Sequence, residues 1–220
     1  MQHGSPHPDV AGSELIHLLA RFTDAPPTRA APAFAERLGH WLSWSDAIAL
    51  STALNIGPSE FGHGSLRARG GEEADFQRVR AALEASIAAG PREPESSPTD
   101  FGPHRRHCIA LQQAMHDAVG ALRQRLREAL SRHSPALARL AAIDAVMDRT
   151  LAVRESSLLG LVPLRLQTHF EHLQRARGND TDWLETFHDD MNLVLRAELA
   201  HRLLPAQGLL DTLHTHRPPT

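Results

Sequence analysis

HRRHCIALQQAMHDAVGALRQRLREALSRH, residues 104–133, sets Leu111, Met115, Val119, Leu122, Leu126 and Leu130 three or four positions apart. That spacing is one face of an α-helix. Gly120 alone interrupts the run, at a cost of about 1 kcal/mol relative to alanine, so the pattern predicts one uninterrupted helix to His133. Ser134 and Pro135 then supply a cap and a proline at the first helical position, where a missing N–H has no partner to lose.

A second apolar series follows: Leu137, Leu140, Ile143, Met147, Leu151, Leu158 and Leu161. Pro163 predicts a kink or short break, with helix resuming through Leu166, Phe170 and Leu173 and stopping at Gly178-Asn179. Thr181 opens a third run, in which Leu184, Phe187, Met191, Val194, Leu195, Leu199 and Leu203 share a face. Pro205 should end or bend it. A 30-residue helix is about 45 Å long, and rods of that length joined by short turns fold back antiparallel on their leucine stripes.

Working outward, 90–102 (GPREPESSPTDFG) has a linker's composition. Before it, 72–89 reads as an amphipathic helix with Phe76, Val79, Leu83 and Ile87 on its face, and 57–71 as a glycine-rich loop. From Pro32, with Phe34, Leu38, Trp41 and Leu42, the spacing is helical again. Ser45-Asp46 offers a fresh cap, and Ile48, Leu50 and Leu54 continue to Asn55. Ser13 caps a short helix over 13–22, and 1–12 and 214–220 read as tails, the first of them disordered. The expected architecture is all-α: six to seven helices, three of them long and antiparallel in the C-terminal half. The expected organisation is an N-terminal helical part over 13–89, the linker, and a long-helix bundle over 103–213.

Composition narrows the function classes. The net charge of −3 and pI near 6.6 argue against a chain built to hold nucleic acid. There is no lysine and no tyrosine, so every basic side chain is arginine. The single cysteine, Cys108, cannot form an internal disulfide and points to a reducing compartment. No signal peptide and no run of 18 apolar residues is read, so the expected location is cytoplasmic, without membrane insertion.

Fifteen histidines raise a metal reading. Glu-x-x-His, the element that di-metal bundles use on two helices, occurs as Glu14/His17, Glu185/His188 and Glu198/His201. The last two lie about 20 Å apart along one helix and cannot share an ion, and Glu128 and Glu155 are the interior carboxylates left to complete a site. His104, His107 and Cys108 stand at i, i+3 and i+4 without a fourth ligand; a solvated helix start is the simpler reading. His169 and His172 lack a clear partner. No nucleophile elbow or phosphate loop appears. Arg105, Arg106, Arg123, Arg125, Arg127 and Arg132 form a basic stretch without interleaved aromatics, most simply a solvated face.

The segments SELIHLLARFTD, FAERLGHWLSWSDAIALSTALN, ALQQAMHDAVGALRQRLREAL, SPALARLAAIDAVMD and WLETFHDDMNLVLRAELAHRLLPAQGLLDTL resemble a proteobacterial family known as domain of unknown function 3348. The resemblance implies no reaction, cofactor or catalytic residue. It implies an association with envelope proteins, hence a cytoplasmic accessory of an envelope-associated complex. The plainer reading of Trp41 and Trp44 is that they cover the long bundle; the functional expectation is a helical adaptor without a cofactor that binds a protein through Trp41, Trp44 and Asp46, tryptophan being enriched at binding hot spots, or through an exposed face of the long helices, and homo-oligomerisation is left open. The alternatives are a metal- or cofactor-dependent helical enzyme using Glu198, His201, Glu185 and His188, and nucleic-acid binding through the arginine-rich helix.

Overall fold

The computed structural model describes residues 9–22, 44–55, 71–91, 99–177 and 182–216. Among them there are seven helices and no strand: α1 (Asp9–Arg21), α2 (Trp44–Asn55), α3 (Glu72–Ala88), α4 (Gly102–His133), α5 (Pro135–Leu159), α6 (Val162–Arg177) and α7 (Asp182–Thr215). The all-α expectation holds, with α4, α5 and α7 the long rods. The predicted helix before Trp44, the loop before Gly71, the stop at Gly178-Asn179, the cap at Thr181 and the outer parts of both tails lie outside the described residues.

The turn from α4 to α5 follows the sequence signal closely. Ser134 Oγ accepts from Leu137 N at 3.3 Å, the Ser134 carbonyl takes the first helical bond from Ala138, and Pro135 is the first residue of α5. The break near Pro163 falls just before it, at Gly160 and Leu161. Pro163 thereby sits in the first turn of α6, where its ring costs no backbone bond. Gly90, at φ 67°, closes α3 in the left-handed conformation that glycine adopts most easily.

Two boundaries differ from expectation. α1 starts at Asp9 rather than Ser13; an acidic residue directly after a proline at position 8 is itself a helix-start signal. α7 runs unbroken through Pro205 to Thr215. The bond lost there is offset by burial of Ala206, directly after the proline, and of Leu209 and Leu210, one turn on.

The contacts gather the chain into two compact units. The first takes 1–27, 78–119 and 159–204. Its core stacks Phe170 edge-on against Trp183 and Phe187, with ring centres 4.9 and 5.0 Å apart, and Phe101 closes on both phenylalanines. Such pairs contribute about 0.5–1.5 kcal/mol each beyond their area. Leu83, Ile87, Leu111, Met115, Leu166, Met191 and Leu195 are buried in the same unit.

The second unit takes 28–77, 120–158 and 205–220. Leu122, Leu126 and Leu130 of α4 are buried as predicted, but on the leucine face of α5 only Leu137 is. Leu140 and Leu158 are exposed and Ile143, Met147 and Leu151 only half-buried, whereas Ala138, Ala141 and Val146 are buried. Alanine allows close backbone approach, and Asp144 and Asp148 are drawn to arginines of α4; together they rotate the leucine stripe away from the interface.

Candidate functional site

In the second unit α2 presents an apolar face that its own unit does not cover. Trp44 is 83% exposed and Ile48, one turn later, is 52% exposed, while Ala53 is the only buried residue of this helix. Asp46 is half-buried in the first turn, where the helix dipole favours an acid. Asp46 is also the only charged residue of the twelve. An apolar ridge bearing a tryptophan can fill an apolar groove. Trp41 lies outside the described residues. Ile48 completes the ridge, and its i, i+4 relation to Trp44 is the sequence signal that could have paired the two.

The first unit holds all three Glu-x-x-His pairs, while Glu128 and Glu155 belong to the second. Glu198 is fully buried: Gln112 Nε2 donates to its Oε2 at 2.9 Å, and Arg202 Nε and Nη2 donate to its Oε1 at 2.9 and 2.8 Å. The same Gln112 amide reaches the Leu159 carbonyl at 2.9 Å. With its charge neutralised by Arg202, this carboxylate ties α4 to α7. Cys108 is also fully buried; burial first, and the negative Glu198 second, push its thiol up to about 12. A nucleophile or metal ligand needs the thiolate, so Cys108 is inert at neutral pH.

His104 is 1% exposed, among the rings of Phe101, Phe170, Phe187 and His188 at 5.1–6.2 Å. The solvated helix start predicted there is therefore corrected: with Cys108 it packs into the aromatic core, which draws this end of α4 inward. His169 Nε2 meets Asp190 Oδ2 at 2.7 Å, and Phe22 stacks on its ring at 4.0 Å, so this pair docks the end of α1. Glu14, His17, His172 and Glu185 are exposed, and Glu128 is exposed and accepts from Gln124. His188, Glu155 and His201 are half-buried. Among the described residues no three His, Cys, Asp or Glu side chains gather as metal ligands.

Three of the six arginines of the basic stretch are held by carboxylates within the chain. Arg123 binds Asp144 at 2.6 Å and Asp148 at 2.7 Å; Arg127 binds the same pair at 3.1 and 3.0 Å; Arg125 reaches Asp75 at 2.7 Å. Arg105, Arg106 and Arg132 remain exposed. Asp144 and Asp148 were not singled out by motif, although their i, i+4 spacing matches that of the two arginines.

Residues 1–215 match the family described as a protein of unknown function, DUF3348. The chain belongs to the DUF3348 family. No curated protein and no solved structure matches it. Membership in DUF3348 spans every helix described above and assigns none of these residues a reaction. No helix among the described residues is long and apolar enough to cross a membrane.

Proposed function

We propose that this DUF3348 protein is a cytoplasmic helical adaptor that binds another protein with the Trp44–Ile48 ridge of α2. The observation that carries the reading is a tryptophan 83% exposed, one turn from an isoleucine 52% exposed, on a helix with a single charged residue. Leaving a large aromatic in water has no benefit to the folded monomer, whereas burying it in a partner's pocket is how binding hot spots form. The rival readings have less support: Glu198 is spent on Gln112 and Arg202, and three arginines of the basic stretch are spent on aspartates. Placement beside an envelope complex is the finer form of the proposal and rests on the family resemblance alone.

The test is affinity capture from the native organism with wild type and Trp44→Ala, followed by reconstitution of each enriched protein with purified bait. The variant should keep the wild-type circular dichroism and stability within about 0.5 kcal/mol, because the side chain is exposed. A reconstituted partner whose affinity drops at least tenfold with Trp44→Ala supports the adaptor reading. Equal affinity for the two baits, or no reproducible partner, overturns it.

A further inference from the structure

We draw no further inference here: the strongest candidate, the open groove of about 460 Å³ between α4 and α5 floored by Ala138, Ala141, Ala142 and Ala145, carries nothing because its floor is a stripe of small residues, its Arg127 is already bound to Asp144 and Asp148, and nothing in the structure shows what covers it.

Discussion

The absence of lysine and tyrosine makes the alkaline behaviour of this protein unusually simple to interpret. Between the histidines and the arginines, the only side chain that titrates is Cys108. In the folded chain its thiol is pushed from an ordinary value of 9.0 up to about 12 by burial and by Glu198. Unfolding frees it to ionise, so above pH 9 the folded state holds a proton that the unfolded state has lost. Stability is therefore intact below pH 9 and falls as pH rises towards 12, at up to about 1.4 kcal/mol per pH unit. At pH 10.5 the loss is about 2 kcal/mol, which should shorten the urea midpoint by about 1 M for a slope near 2 kcal/mol/M. The assay is urea unfolding followed by circular dichroism at pH 8, 9, 10 and 10.5, with reductant, in wild type and Cys108→Ala. The variant starts from a lower stability because of the small cavity, so the comparison is between slopes. Wild type should fall with pH while Cys108→Ala stays flat. Equal slopes in the two proteins, or a flat wild type, would refute the reasoning.

The other expected outcomes need less working. With the Cys108 thiol buried and pushed up to about 12, an alkylating reagent at pH 8 should leave the native protein unmodified and label it in denaturant; native labelling at the rate of a free thiol would contradict its burial. Glu198→Gln sets an amide donor against either Gln112 or Arg202 and should cost about 3 kcal/mol by urea unfolding, whereas Glu198→Leu with Arg202→Met removes both charges and should recover most of it; independent, additive losses would show that the pair is not coupled. Asp144→Ala should destabilise by more than Asp148→Ala, since Asp144 is 14% exposed against 35% and both meet two arginines; the reverse order in unfolding midpoints would count against a stabilising role for these four ion pairs. Gly120→Ala and Gly208→Ala put a methyl group where nothing lies within 4 Å in mid-helix, and each should raise stability by about 0.5–1 kcal/mol.

What the sequence disclosed depended on how much of each helix's orientation was set by its own residues. α4 was legible from Leu111 to Leu130, where all six apolar positions are buried, but not at its start, where His104 and Cys108 are buried, His104 among aromatic rings contributed by distant parts of the chain. α7 was nearly so, with Leu184 half-buried and the neighbouring Trp183 taking its place in the core. α5 was misread because leucine counting gives weight to size, while the helix had a second usable face of alanine and aspartate. The candidate site was half legible. Trp44 was singled out, but residue type cannot say whether an aromatic covers its own core or faces water. The spacing of Glu198 points to its helix-mate His201, whereas its hydrogen-bond partners are Arg202, one turn on from Glu198, and Gln112, which is 86 residues away. No local pattern encodes a contact of that separation.

The two polar clusters solve different registration problems, which explains their different composition. α4 and α5 are joined by one capped turn at Ser134, which sets Arg123 and Arg127, one helical turn apart on α4, against Asp144 and Asp148, one helical turn apart on α5. The hairpin already fixes that alignment, so partly exposed ion pairs suffice to reinforce it. α4 and α7 have no such turn. Their contacts, Phe101 with Phe187, His104 with His188 and Gln112 with Glu198, advance together along both helices, so the two run parallel with α5 and α6 intervening in the chain. Leucine packing alone would tolerate a slip of one helical turn between them. A slip of about 5.4 Å would carry Glu198 off Gln112 and leave its Oε2 unpaired in the core, with only Oε1 still held by Arg202, at a cost of about 1–3 kcal/mol. A buried charge that adds little to net stability can thus select one alignment over its neighbours, and Gln112 is placed to extend that selection by holding the Leu159 carbonyl at the end of α5 with the same amide.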